Sequence, residues 1–140
     1  MRNITALVDT NIFLDIAFNR QKYAEKSLEI LSMNNFTKLI VCKQIFDIHY
    51  ILKKRGIFTS DIINFIKTIR LNCTILDLTV EDVDNTLKKI DMEDFEDAVI
   101  SIRADRFKAD YIITRNIKDF INSKVKAITP ENFLKIIQNN

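Results

Sequence analysis

A near-absence of glycine and proline constrains this chain more than any other feature of its sequence. Its 140 residues include one glycine, Gly56, and one proline, Pro130, whereas an average chain of this length carries roughly ten and seven. One glycine cannot build a Gly-rich phosphate loop. An all-β sandwich or barrel is disfavoured as well, because its frequent turns usually use Gly or Pro. Carboxylate, hydroxyl and cationic side chains remain plentiful.

Histidine and cysteine are scarce too. One histidine, His49, and two cysteines, Cys42 and Cys73, cannot supply the usual ligand set of a zinc site. The two thiols form no CxxC motif and no disulfide framework, which is typical of a reducing cytosol. No apolar run is long enough for a membrane span or a signal peptide. We therefore expect a cytoplasmic protein that does not contact a membrane.

Short apolar runs alternate along the chain with segments of helical spacing. The expected strands cover residues 4–8, 39–42, 73–78, 111–113 and 125–128. The expected helices begin near residue 12 and then cover residues 23–34, 44–55, 59–69, 79–90, 94–107 and 130–137. Alternation of this kind implies a parallel sheet with helices on both faces. The length fits one domain over residues 1–140, and 47% hydrophobic residues suffice for its core.

Several helix ends have recognisable signals. Gly56 follows a Lys-Lys-Arg turn and is placed to end a helix. Thr79 begins a capping-box pattern, Thr59 is an expected helix cap, and Thr129 precedes Pro130 at the start of the last helix. The segment from residue 94 is expected to be the longest amphipathic helix. Its apolar side is expected to carry Phe95, Ala98, Val99, Ile102 and Phe107.

Charge is segregated along the chain. The formal net charge is +2, yet residues 81–97 hold eight acids and two lysines, so the rest of the chain is strongly basic. Basic residues occur in three groups: Lys53, Lys54 and Arg55; Arg103, Arg106 and Lys108; Arg115 and Lys118. Two interpretations stay open. These groups form a surface that attracts a polyanion, or they are ordinary solubilising charge.

Polar clusters follow two of the expected strands. Asp9-Thr10-Asn11 comes after the first strand, and Thr114-Arg115-Asn116 with Asp119 comes after the fourth. Sites in parallel α/β sheets form beyond the carboxyl ends of the strands. Two more groups can join them: Asp94 and Asp97, on one face of a helix, and Asp47 on the third helix. Converging carboxylates are costly unless a divalent cation binds, and oxygen ligands favour Mg²⁺ or Mn²⁺.

Each of these acids also has an ordinary structural interpretation. Asp9 can cap the helix that follows it, and Asp94 with Asp97 can complement a helix dipole. Asp47 can lie on a solvated helix face, since the surrounding isoleucines do not settle which face it occupies. Asp119 can be a turn or cap residue. The sequence pattern alone leaves these alternatives open.

Taken in order, the motifs resemble those of the PIN domain family. They are Asp-Thr-Asn from Asp9, Asp-Phe-Glu-Asp-Ala from Asp94, and Tyr-Ile-Ile-Thr-Arg-Asn from Tyr111 followed by Asp119-Phe120. Residues 128–134 are similar to the usual ending of one PIN subgroup, so the resemblance spans nearly the whole chain. It implies a three-layer α/β/α PIN-like fold with a central, mostly parallel sheet of four to five strands.

The resemblance also assigns roles to particular acids. The first family acid matches Asp9, with Asn11 as the neighbour that hydrogen-bonds to it. The second is usually a glutamate and falls at Asp47, which is shorter by one methylene. The third matches Asp97, supported by Asp94 one turn earlier. Because Asn116 stands where some relatives carry aspartate, Asp119 is the remaining candidate for the fourth acid. The implied metal ligands are Asp9, Asp97 and Asp119.

PIN domains are metal-dependent nucleases, and many free-standing ones of this size are VapC-type toxins that cut RNA. The resemblance therefore implies an endoribonuclease that uses Mg²⁺ or Mn²⁺. Thr114 and Asn116 would orient ligands or waters around the ion, and the candidates for holding the RNA backbone are Arg103, Arg115 and Lys118. The implied partners are an RNA substrate, a small antitoxin protein and a second copy of the chain.

Two other function classes compete with this one. A PIN fold that is catalytically weak or inactive and binds nucleic acid or protein is suggested by Asp47 and Asn116, which stand where a stronger site has Glu and Asp. A phosphoacceptor or phosphatase domain would need an acidic pair after the first strand. Asp9-Thr10-Asn11 supplies only one acid there.

Overall fold

The computed structural model describes residues 2–89, 91 and 94–139. Its strands are β1 (Thr5–Val8), β2 (Thr37–Val41), β3 (Thr74–Leu76), β4 (Tyr111–Ile113) and β5 (Lys126–Ile128). Its helices are α1 (Thr10–Ala17), α2 (Ala24–Ser32), α3 (Cys42–Lys54), α4 (Thr59–Asn72), α5 (Val80–Leu87), α6 (Phe95–Phe107) and α7 (Pro130–Gln138), with a 3-10 turn at Ile117–Phe120. Ile90, where the fifth helix was expected to end, lies outside the described residues.

The five strands form one sheet in the order β3-β2-β1-β4-β5, and every neighbouring pair is parallel. The chain moves outward from β1 to β2 and β3, and then crosses to the other side of β1 for β4. The direction of winding therefore reverses between β1 and β4, which is where parallel α/β sheets place their sites. In this register Val8 lies beside Ile113. The residues that follow them, Asp9 and Thr114, therefore lie side by side at the carboxyl edge of the sheet.

Helices cover both faces of the sheet. Side chains alternate along β1, so Ala6 and Val8 pack into a core with α1, α2, α3, α4 and α7, whereas Leu7 packs with Ile100 and Ala104 of α6 on the opposite face. Both faces exclude water, because the core residues of β1 are at most 1% exposed. The expected α/β fold with a parallel sheet between helical layers is confirmed.

Most expected helix ends are present. Gly56 follows α3 with a φ of +83°, a conformation that a residue without a Cβ adopts at little cost. Thr79 accepts a hydrogen bond from the Asp82 amide at 3.3 Å, and Thr129 accepts one from the Asn132 amide at 3.2 Å. The expected Thr59 cap is wrong, because Thr59 is already helical and Phe58 occupies the N-cap position without a side-chain oxygen.

The burial of α6 differs from the expected pattern. Phe95 and Phe107 are 49% and 37% exposed, whereas Ile100, Ser101 and Ala104 are buried with Ala98. The helix packs between the sheet and α5, so it buries more than one stripe of residues. At 13 residues it is also shorter than α4, which has 14.

None of the helices in the described part of the chain is both long enough and apolar enough to cross a bilayer.

Candidate active site

The carboxylate of Asp9 is fixed by the neighbouring strand. The Asp9 amide donates to the carbonyl of Ile113 at 2.9 Å, which extends the β1–β4 pairing by one residue. The Thr114 hydroxyl donates to Asp9 Oδ2 at 2.9 Å, and it accepts from the Asn116 amide at 3.0 Å. Thr114 is fully buried and Asp9 is 7% exposed. This geometry leaves little freedom to the Asp9 side chain.

The family resemblance implies that Asn11 hydrogen-bonds to Asp9, and the structure differs from this expectation. Among the residues that the structure describes, Thr114 and not Asn11 donates a side-chain hydrogen bond to the Asp9 carboxylate. Asn116 contributes through its backbone amide. Asp9 occupies the N-cap position of α1, but its side chain does not make the hydrogen bond of a helix cap. The helix-cap interpretation of Asp9 therefore does not hold.

Four of the residues expected at the site line one cleft at the carboxyl end of β1. Its volume is about 370 Å³, and its walls come from α1, α3 and α6. We call it the carboxylate cleft, and its polar lining includes Asp9, Asn11, Asp47, Glu96 and Asp97. Asp94 and Asp119 are not part of this lining. Sequence reasoning did not single out Glu96, although its position beside Asp97 could have suggested it.

Two acids of the cleft, Asp97 and Asp9, have a raised pKa. Burial, followed by the negative charges of Asp94, Asp9, Asp119 and Glu96, raises the pKa of Asp97 to about 7. Burial also raises the pKa of Asp9, with a smaller contribution from Asp119, and the hydrogen bond from Thr114 opposes that rise. Asp119 is thus near enough to act electrostatically on both acids. The surrounding groups therefore offset the negative charge of Asp9 and Asp97 only in part.

Asp94 has a structural role in this arrangement. It occupies the N-cap position of α6, where its Oδ1 accepts from the Asp97 amide at 3.0 Å. Its side chain is exposed, and the contact that it makes is this helix cap. The capping interpretation of Asp94 therefore holds. Its charge nevertheless acts on Asp97, as the pKa of that residue shows.

Lys43 connects two walls of the carboxylate cleft. Its Nζ lies 2.5 Å from Asp47 Oδ2 on α3 and 3.3 Å from Glu96 Oε1 on α6. Burial alone would lower the pKa of Lys43, but the two carboxylates outweigh it and raise the pKa overall. Sequence reasoning missed this lysine, although its spacing of four residues from Asp47 was a usable signal. The Asp47 carboxylate, which lines the cleft, is therefore paired with an ammonium group.

Gln44 is a second residue that sequence reasoning missed. It is fully buried, and its Nε2 donates to the carbonyl of Val8 at 2.8 Å and to Thr10 Oγ1 at 3.2 Å. Its Oε1 accepts from the amide of Val41 at 2.8 Å. One amide side chain thus joins the ends of β1 and β2 to the start of α1, where Asp9 lies.

The three basic candidates differ in their surroundings. Arg103 is 7% exposed, and its guanidinium donates to the Asp77 carbonyl at 2.7 Å and to its carboxylate at 3.1 Å. Its expected role in holding an RNA backbone is therefore withdrawn, because the group is enclosed and already paired. Arg115 is partly exposed and binds Asp15 at 2.9 Å. Lys118 is exposed on the 3-10 turn.

The donor set of the cleft suits a hard divalent cation. It consists of carboxylate oxygens, and the raised pKa of Asp97 records charge that a cation would balance. Within residues 2–89, 91 and 94–139, however, no three acid, histidine or cysteine side chains are grouped closely enough to hold a metal ion directly. Lys43 engages two of the acids instead. The residues fit an ion that keeps several of its waters, as Mg²⁺ usually does.

Comparison with known proteins places these features in a family. A PIN domain family model matches residues 5–118. Similar solved structures include VapBC2 from Rickettsia felis bound to a DNA fragment from its promoter, with a TM-score of 0.67 and 16% identity over 90% of this chain and 98% of that one. A toxin-antitoxin complex from Klebsiella pneumoniae has a TM-score of 0.65 and 23% identity over 89% and 97%.

A third similar structure is VapC20 from Mycobacterium tuberculosis, described as a sarcin-ricin loop cleaving toxin. Its TM-score is 0.63, with 12% identity over 76% of this chain and 86% of that one. At such identities the likeness shows a shared fold. The sequence has no significant match among curated proteins.

Proposed function

This chain belongs to the PIN domain family, and from that premise we propose that it is an endoribonuclease dependent on Mg²⁺ or Mn²⁺. The observation that carries the proposal is the grouping of Asp9, Asp47 and Asp97 in one cleft, where Thr114 fixes the Asp9 carboxylate. The raised pKa of Asp97 agrees with this grouping. Strongly perturbed carboxyl groups in a cleft mark functional sites. The cluster also lies where the winding of the sheet reverses, next to the ends of β1 and β4.

In this proposal Asp9, Asp97 and Asp119 hold the ion in part through the waters that it keeps, and Asp47 and Asp94 lie nearby. When bound, the ion supplies a water activated for in-line attack on an RNA phosphodiester and stabilises the leaving oxygen. Thr114 keeps the Asp9 carboxylate in one orientation, and such supporting hydrogen bonds commonly strengthen metal binding. Gln44 fixes the backbone on either side of Asp9. Lys43 pairs with Asp47 and Glu96 and offsets part of their negative charge.

We further propose that residues 1–140 act as one toxin domain in the cytoplasm, paired with a small antitoxin protein and assembled as a homodimer. The similar structures that are toxin-antitoxin complexes support the partner. The description of VapC20 as a sarcin-ricin loop cleaving toxin supports RNA as the substrate class. Arg115 and Lys118 remain the candidates for contacts with the RNA backbone.

Cleavage of RNA tests the enzymatic part of this proposal. Purified protein is incubated with a labelled RNA pool in Mn²⁺, in Mg²⁺ and in EDTA, together with Asp9→Asn. Cleavage is expected with either metal, and it should be abolished by EDTA and by the substitution. The matched control is Asp61→Asn, which makes the same change at an exposed position on α4. Full activity in EDTA or in Asp9→Asn would contradict the proposal.

A binding module without catalysis is the second candidate, and the contacts of Lys43 favour it. An ammonium group that neutralises Asp47 and Glu96 competes with a cation for two acids of the cleft. Calorimetric titration with Mn²⁺ separates the two functions. Heat of binding that disappears in Asp97→Asn supports the nuclease, and absence of any heat supports the binding module.

A further inference from the structure

A second pocket lies beside the carboxylate cleft, along a neighbouring face of α1. Its volume is about 270 Å³, and it is enclosed by α1, α2, the residue after Thr114 and the start of α7. We call it the Ser27 pocket. The lining residues that matter here are Ile12, Lys22, Tyr23, Lys26, Ser27 and Arg115. None of them except Arg115 has a role in the proposed function.

Ser27 is the unusual member of this lining. It is 1% exposed, and within the described residues its Oγ is a buried side-chain oxygen without a hydrogen-bond partner. Serines inside helices commonly bond to a carbonyl of the preceding turn, and this one does not. Leaving a buried hydroxyl unpaired is costly. A ligand in the pocket that offers a donor or an acceptor would remove that cost.

The charged side chains that line the pocket are three basic ones, Lys22, Lys26 and Arg115, and two acidic ones, Asp15 and Glu131, so the lining carries a small positive excess. Asp15, which is fully buried, binds Arg20 at 2.8 Å and Arg115 at 2.9 Å, so one carboxylate is met by two guanidinium groups. Lys22 and Lys26 are exposed at the rim, and neither forms an ion pair within the described part of the chain. Because the two lysines outnumber Glu131 at the rim, the rim attracts an anionic strand more than a neutral ligand.

The Ser27 pocket is connected to the carboxylate cleft through two consecutive residues. Thr114 binds Asp9 in the cleft, and Arg115 lines the pocket. The Arg115 guanidinium lies 4.3 Å from the centre of the Tyr23 ring and is also held by Asp15, so its position is fixed from two sides. A polyanion bound in the cleft is therefore next to the pocket.

We infer that the Ser27 pocket receives one base of the RNA strand beside the bond to be cut. Ser27 would hydrogen-bond to an edge of the base, and Lys22 and Lys26 would contact the adjacent phosphates. The volume is just below the range of about 300–1,000 Å³ that suits larger organic ligands. Unpaired RNA bases are commonly recognised one at a time in this manner. The inference rests on the proposed function and adds the origin of its base selectivity.

Binding of short RNA without cleavage tests the inference. Fluorescent single-stranded pentanucleotides of A, C, G or U are titrated in EDTA, and their affinities are read by anisotropy. The wild-type chain should prefer one base. Ser27→Ala should weaken that sequence about fivefold and leave the others nearly unchanged, because one hydrogen bond is lost. Ser32→Ala, an exposed serine of the same helix, is the matched control.

Two further variants separate the rim from the interior of the pocket. Lys22→Ala and Lys26→Ala should weaken all four sequences alike and reduce the salt dependence of binding, since phosphate contacts carry no sequence information. Thermal unfolding is followed for every variant. Ser27→Ala should unfold no earlier than the wild type, because the hydroxyl it removes has no partner. Ser27→Cys, which keeps the size of the group, repeats the test if Ser27→Ala unfolds early.

Three outcomes overturn the inference. They are equal affinity of the wild type for all four sequences, a base ranking that Ser27→Ala and Ser27→Cys both retain, and an equal loss in Ser32→Ala. A retained ranking would show that Ser27 does not read the base. Cleavage in Mn²⁺ is scored separately. A chain that cuts RNA without base preference contradicts this inference alone, whereas a chain that neither binds nor cuts RNA contradicts the proposed function as well.

Discussion

The Thr114 hydroxyl donates to Asp9 Oδ2 across 2.9 Å, although the two residues are 105 positions apart in the chain. Each follows the last residue of its strand, and the two strands are neighbours in the sheet. Because Thr114 also accepts from the Asn116 amide, its hydroxyl hydrogen is directed toward the carboxylate. The orientation of the Asp9 side chain is therefore set by the pairing of β1 with β4.

Removing the Thr114 hydroxyl should weaken metal binding. Thr114→Val keeps the shape of the side chain and leaves a buried carboxylate without its donor, so Mn²⁺ affinity should fall about tenfold. The free energy of unfolding should fall by about 1–3 kcal/mol. Calorimetric titration and urea unfolding measure the two effects. Thr114→Ser restores the hydroxyl and should recover most of the affinity; wild-type affinity in Thr114→Val would show that the bond does not support the metal.

The stability of the metal-free chain should depend on pH through Asp97. Its pKa is raised to about 7 in the folded chain, against an ordinary value of 3.8, so the folded state binds its proton more tightly than the unfolded state. The stabilisation is fully present below about pH 4, declines as the pH rises and is lost above about pH 7. The melting temperature in EDTA should therefore fall between pH 5 and pH 8.

Asp97→Asn removes this charge and should flatten that pH profile. At pH 8 and in EDTA the variant should melt roughly 2–4 °C above the wild type, because the unfavourable carboxylate is gone. Excess Mn²⁺ should reverse the order by stabilising only the wild type. Thermal unfolding with and without Mn²⁺ measures both effects. Parallel pH profiles of the two chains would exclude Asp97 as the titrating group.

Lys43 should limit the affinity of the cleft for cations. Lys43→Met removes the ammonium group from between Asp47 and Glu96, so the negative potential of the cleft increases. Mn²⁺ affinity at low salt should rise about threefold to tenfold. Lys53→Met, at an exposed position on the same helix, serves as the control. An unchanged affinity in Lys43→Met would mean that Lys43 does not compete with the ion.

Gln44 should be important for stability. Gln44→Leu removes all three of its hydrogen bonds and leaves the Val41 amide and the Val8 carbonyl without that partner in a buried region. The free energy of unfolding should fall by about 2–4 kcal/mol. Chemical denaturation monitored by circular dichroism measures the loss. A decrease below about 1 kcal/mol would indicate that the backbone groups find other partners.

The strands, and the site residues that directly follow two of them, could be predicted because they depend on local sequence. Apolar runs that stop at Asp9 and before Thr114 locate two strand ends, and parallel strands bring their carboxyl ends to one edge of a sheet. Thr79, Thr129 and Gly56 act within a few residues of their own helix ends. Such signals need no knowledge of distant parts of the chain.

The remaining contacts depend on how the elements pack. Whether Asp9 meets Asn11 or Thr114 depends on β4 lying beside β1, which no local pattern specifies. The contact of Lys43 with Glu96 requires α3 and α6 to approach each other. Arginine is usually a surface residue, yet Arg103 is buried because it donates hydrogen bonds to the carbonyl and the carboxylate of Asp77. The unpaired hydroxyl of Ser27 is visible only in three dimensions.

Cleavage of RNA in Mn²⁺ by Asp97→Asn, compared with Asp84→Asn, tests the central claim most directly. Both substitutions remove one acid, but Asp97 lines the carboxylate cleft and Asp84 is exposed on α5. We expect Asp97→Asn to lower the cleavage rate at least about a hundredfold, because an interaction with the ion is worth several kcal/mol. Asp84→Asn should match the wild type. Equal rates for Asp97→Asn and the wild type would contradict a nuclease site in this cleft.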